Sequence, residues 1–207
     1  MKSIHIPLAL AVAVAAAVPA GVQAHFKLLE PASWIVESER GDPQKAAPCG
    51  AVPDAKPSEA VTKVTGGSKL HLKVQETIYH PGHYRVALAV NSRGELPTDP
   101  LTVEKMTERG PQSVWAAIQS PPQIPVIADG LFQHYARPAA GQTFEGDVQL
   151  PNITCAKCTL QVIQFMADHG YNQPGGYSYH HCADLAITAD AAKPLDKGWP
   201  TAAGTAN

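Results

Sequence analysis

Beyond its first two dozen residues the sequence has no apolar run of the roughly 20 residues that a spanning helix requires. No membrane partner is therefore expected of the mature chain. Positive charge is sparse as well: Lys and Arg number 16 against 18 Asp and Glu, for a formal net charge of −2. With no Lys/Arg-rich stretch and no aromatic-basic stripe, no nucleic-acid partner is expected. Aromatic residues make up only 6% of the chain, so no platform of stacked rings is evident. No internal repeat is visible.

The apolar stretch that does exist lies at the start. Lys2 precedes an apolar run from Ile6 to Ala17, and Val22-Gln23-Ala24 supplies small residues at a cleavage point. That is the layout of a secretory signal, too short to span a bilayer comfortably. It predicts removal of residues 1–24 and a secreted or periplasmic product whose first residue is His25. The remainder has the length of one ordinary domain. We assign residues 25–190 to that domain and 191–207, with Trp199 isolated among Ala, Gly, Pro and Thr, to a terminal tail. A monomer is expected.

The four cysteines form an even set in an exported chain, so two disulfides are the default. Of the three pairings we favour Cys155 with Cys158 as a local loop and Cys49 with Cys182 as a long-range staple, because closing a long loop restricts the unfolded chain most. A redox or zinc role for Cys155-Ala156-Lys157-Cys158 is the competing reading.

Frequent Pro and Gly between short apolar runs predict many strands and few helices. Ser68 to Gln75 alternates Leu70, Leu72 and Val74 on one face, the period of a half-buried strand, which leaves His71 on the solvated side. Further strands are expected at Tyr84–Val90, Thr143–Leu150, Thr159–Met166 and Tyr179–Ile187. Strands at these intervals argue for an all-β, immunoglobulin-like antiparallel β-sandwich with long loops. Asn91 to Gln123 reads as a long excursion with one helical turn around Val103 to Thr107.

A histidine at residue one of a mature chain carries two nitrogen donors, its α-amine and its imidazole Nδ1, which can close a chelate ring. The α-amine titrates near 8, well below a lysine amine, and yields its proton to a metal more readily. One further imidazole gives three nitrogens in a T, a set that suits Cu(II) best among common metals. Tyr79-His80-Pro81-Gly82-His83-Tyr84, leading into an apolar strand, offers two candidates. We favour His80 over His83, with Gly82 allowing the tight turn.

The start His25-Phe26 with Pro31-Ala32-Ser33-Trp34, the His80-Pro81-Gly82 element and the late Tyr179-His180-His181-Cys182 together resemble the copper-dependent lytic polysaccharide monooxygenases and their non-catalytic relatives. The resemblance implies a sandwich presenting copper in a histidine brace, with His25 and His80 as metal ligands and Tyr179 in the axial position. It also implies that Cys182 pairs with a cysteine early in the domain, in agreement with Cys49. Gln164 resembles the polar residue that faces the axial oxygen site, and also fits a solvent-facing strand position. Two departures are visible: no Gln precedes Tyr179 in Tyr177-Ser178-Tyr179, and His180 and His181 are additional. On a strand His181 shares a face with Tyr179 and is placed to reach the metal's surroundings, whereas His180 points away.

The leading expectation is oxidative cleavage of a polysaccharide, chitin or cellulose, with copper as cofactor, an external electron donor, and Tyr179, Gln164 and His181 acting around the metal. The alternative is a non-catalytic copper-handling protein that uses the same brace. A purely structural adhesion sandwich would require the terminal histidine to be accidental.

Overall fold

The computed structural model describes residues 25–50, 52–137 and 142–201. The signal segment 1–24 and the end of the tail lie outside the described residues. Ten strands are described. Three form one sheet in the order β1 (His25–Glu30), β3 (Lys69–Ile78), β8 (Thr143–Gln149). Five form a second in the order β2 (Val61–Thr65), β10 (Ser178–Thr188), β9 (Cys155–Met166), β4 (Gly82–Ala89), β7 (Val126–His134). The two sheets pack as a β-sandwich, and their pairings are antiparallel except that β2 runs parallel to β10.

The alternation read in β3 sends Leu70, Leu72 and Val74 into the core with Phe26 and Leu28 of β1. From the other sheet Tyr84, Val86 and Leu88 of β4, Leu160 and Val162 of β9, and Tyr179 and Leu185 of β10 meet them. Burial of this kind stabilises by about 25 cal/mol per Å² of apolar surface. β4 throughout and β9 from Cys158 onward are buried, which is why they read as continuous rather than alternating apolar runs.

Their outer face is covered by the excursion after Ala89. It contains no helical turn at Val103 to Thr107: that segment is strand β5 (Thr102–Thr107), which pairs with β6 (Gly110–Ala116) in a hairpin. The β-branched Thr102, Val103 and Thr107 favour an extended backbone, and pairing with β6 overrides the weak helical reading. Among the described residues, the one short helical piece is a 3-10 turn at Arg93–Glu95. Arg85 reaches from β4 to the Thr98 carbonyl (2.8 Å), and His180 from β10 to Asp99 (2.8 Å), tying the excursion down.

Disulfides join Cys49 to Cys182 and Cys155 to Cys158. The described part of the tail returns to the body: Asp196 and Asn152 exchange hydrogen bonds, and Trp199 packs against the core.

Candidate metal centre

His25 opens β1 opposite Ile78, two residues before His80, so sheet pairing alone brings the two histidines to one end of the sandwich. β4 begins at Gly82 opposite Met166, where β9 ends, and this delivers the loop after β9 to the same end. Tyr179 enters from β10, cross-strand to Gln164. The rings then form a chain: His25 lies 5.4 Å edge-on from Tyr179, Tyr179 is 6.4 Å from His169, and His169 is 4.7 Å from His80.

His25 is held from several sides. Its Nε2 faces Asp42 Oδ2 at 3.3 Å, which leaves Nδ1 on the backbone side of the ring. The next peptide is gripped at both ends: Phe26 N–H donates to Gln44 Oε1 (3.0 Å), and the Phe26 carbonyl accepts from His181 Nε2 (3.0 Å). Gly41, at φ +95°, lets the loop pass so close that a Cβ there would overlap the Phe26 carbonyl.

His80 is buried, and its Nδ1 has no hydrogen-bond partner among the described residues. Burial, with nearby His169 adding to it, pulls its imidazole down to about 4. His80 is therefore neutral at ordinary pH, the state a metal ligand must have. Its carbonyl is fixed by His134 Nε2 at 2.7 Å. His134 Nδ1 also faces the Phe132 carbonyl, so both ring nitrogens act as donors, the arrangement of an imidazolium. Burial opposes that charge, but the Glu76 carboxylate at 2.8 Å and the two carbonyls outweigh it and raise the His134 pKa. Glu76 further accepts from Tyr84 and from Gln164 Nε2.

Tyr179 is fully buried, and burial raises its hydroxyl to about 12, so it presents a neutral phenol. His169 is pinned by the β5–β6 hairpin: its N–H donates to Ser113 Oγ (3.0 Å), and its carbonyl accepts from Ser113 N–H (2.9 Å). Ser113 Oγ in turn donates to the Met166 carbonyl (2.6 Å). The excursion thus fixes one wall of the centre.

The other sequence candidates fall differently. His83 points to the outer face of β4, against Phe165 (5.2 Å) and 3.8 Å from Asp129, away from the His80 ring contacts. Gln164 faces inward rather than toward solvent, with its amide nitrogen donated to Glu76. His181 shares the face of Tyr179, but its nitrogens go to the Phe26 carbonyl and to Glu37 Oε1 (3.1 Å), and burial drives it down to about 3. It holds the peptide that follows His25. His180, on the opposite face, bonds Asp99.

Several participants escaped the sequence reading, among them His169, Glu76, His134 and Glu37. Two left signals. Glu76 is the one acid on the apolar face of β3, in line with Leu70, Leu72 and Val74. His169 follows an apolar strand antiparallel to the one that His80 precedes, which fixes both at one end. His134 and Glu37 left none, since their partners are remote in sequence.

No cluster of three or more His, Cys, Asp or Glu side chains suited to a metal occurs among the described residues. The centre instead offers the imidazoles of His25 and His80. At one end of the all-β sandwich histidines gather around a buried tyrosine, and imidazole nitrogens are donors that suit copper, zinc, iron or nickel. Over residues 17–185 the chain matches the family described as lytic polysaccharide mono-oxygenase, cellulose-degrading, and it belongs to that family. The family is copper-dependent, acts oxidatively on polysaccharides and is generally secreted. No curated protein matches the chain. No helix among the described residues is long and apolar enough to cross a membrane.

Proposed function

We propose that the protein is exported, is cleaved after Ala24, and binds one copper ion through the His25 amine, His25 Nδ1 and the His80 imidazole, to attack a polysaccharide oxidatively. The observation that carries this reading is the ring chain from His25 through Tyr179 and His169 to His80, in a member of a copper-dependent family. The donor set fits: His80 is neutral with a buried, unpartnered nitrogen, and Asp42 orients His25 from its far nitrogen. Bound copper supplies the one-electron chemistry that activates oxygen or peroxide, fed by an external reductant.

The protein's own residues prepare the place. Tyr179 closes one direction with a phenol that stays protonated, and keeps water from that side. His169, beside both Tyr179 and His80, provides an imidazole for hydrogen bonding at the reacting face. The His134–Glu76 pair holds the His80 backbone, and Gln164 braces Glu76. Gln44 and His181 hold Phe26, so that the ligating residue is preorganised.

Copper electron paramagnetic resonance on protein beginning at His25 tests the ligands. The tetragonal signal is expected to be lost in His80→Ala and kept in His83→Ala. Incubation with reductant and a polysaccharide panel is expected to release oxidised oligosaccharides. A normal copper signal with no such product from any polysaccharide would make the protein a copper-handling relative.

A further inference from the structure

Beside His169, the tip of the β5–β6 hairpin and the loop after β9 enclose an open cup of about 260 Å³. At roughly 30 Å³ per water that is room for about nine waters, the scale of one sugar ring rather than of a chain. Thr107, Arg109 and Gln112 line one wall, and Asp168, Tyr171 and Asn172 the other.

The chemistry of this lining is lopsided. Asp168 is its one acid, and Lys105 neutralises it at 2.9 Å. The Gln112 amide nitrogen is spent on the Asp168 carbonyl (2.7 Å). Arg109 is exposed and makes no ion pair among the described residues. Asn172 Nδ2 is buried against the Tyr179 hydroxyl, turned away from the cup. Tyr171 is 52% exposed, with its ring set by an edge contact with Tyr177 at 5.3 Å. The cup therefore offers an unpaired guanidinium and an aromatic face. A neutral sugar uses the aromatic face but gives the guanidinium no counter-charge, whereas a carboxylate fits its planar fork.

We propose that this cup is a subsite for a uronic acid unit, so that the polysaccharide attacked at the neighbouring centre is an acidic one rather than chitin or cellulose. The Arg109 guanidinium takes the sugar carboxylate, and Tyr171 packs on the ring C–H face. This rests on the copper-centre reading, because only the neighbouring metal turns a sugar subsite into a place of reaction.

The test is calorimetric titration of copper-loaded protein beginning at His25 with a short oligogalacturonate, and with the same oligomer after its carboxylates are reduced to primary alcohols. The carboxylated form is expected to bind about tenfold tighter or more, the scale of a charge-assisted hydrogen bond, and to weaken as salt is raised. Arg109→Gln is expected to abolish that preference while leaving the copper resonance unchanged, and Tyr171→Ala to weaken both oligomers alike. Equal binding of the two oligomers, or a preference that survives Arg109→Gln, overturns the proposal. The two readings fail separately: oligogalacturonate binding retained by a protein that takes up no copper refutes the metal centre and leaves the carboxylate subsite standing.

Discussion

Replacing Glu37 with Gln tests how the peptide after His25 is held. Glu37 is buried, with a side chain 6% exposed, and burial pushes its carboxyl from 4.5 to about 7 despite opposing help from Ser33, the Leu28 N–H and Lys27. His181 spends its Nε2 proton on the Phe26 carbonyl, and Glu37 Oε1, 3.1 Å from its Nδ1, accepts from the Leu28 N–H. A carboxyl with a raised pKa keeps in the folded state a proton that the unfolded chain gives up. Its contribution is full below about pH 4.5 and is lost as pH climbs through about 7. The difference corresponds to about 3 kcal/mol, of which about 2.5 kcal/mol falls between about pH 5 and about pH 8. Gln carries a permanent N–H and releases nothing. Urea unfolding of both proteins across that range is expected to show Glu37→Gln gaining on the native protein by about 2.5 kcal/mol toward the alkaline end. The histidines titrate equally in both and cancel from the comparison. Parallel stability profiles would refute a carboxyl raised by burial at Glu37.

Glu76→Ala strips the partly buried His134 imidazolium of its counter-charge and leaves the buried Gln164 and Tyr84 without their acceptor; a loss of about 3 kcal/mol is expected in denaturant unfolding. The native His134 pair contributes fully below the ordinary imidazole value of 6.5 and weakens as pH rises through its higher folded value, so this difference shrinks in alkaline buffer. Removing the Cys49–Cys182 bond by paired Ala substitution opens a closure of sequence separation 133 and is expected to cost about 4–5 kcal/mol, read from the unfolding midpoint. Ser113→Ala removes two hydrogen bonds around the His169 loop; a loss of about 1–2 kcal/mol and faster amide exchange at His169 are expected, with the sandwich core unchanged.

The amino-acid order by itself determined the sandwich, because strand periodicity is local: Leu70, Leu72 and Val74 mark a face in β3 whatever they later pack against. It also singled out His25 and His80, through a cleavage signal and a short motif, each readable within a few residues. Tertiary structure decided what those residues stand among. Gln164 turned inward onto Glu76, His181 was committed to Glu37 and the Phe26 carbonyl, and His83 went to the covered outer face. Each outcome depends on a partner from a distant strand or loop. The excursion shows the same limit: Val103 to Thr107 lacks a distinctive pattern, and only pairing with β6 makes it the strand that anchors His169 and walls the cup. Local pattern fixes which face of an element is apolar, but the identity of the groups facing a buried polar side chain is a property of sheet order and register, which exist only once the chain has folded.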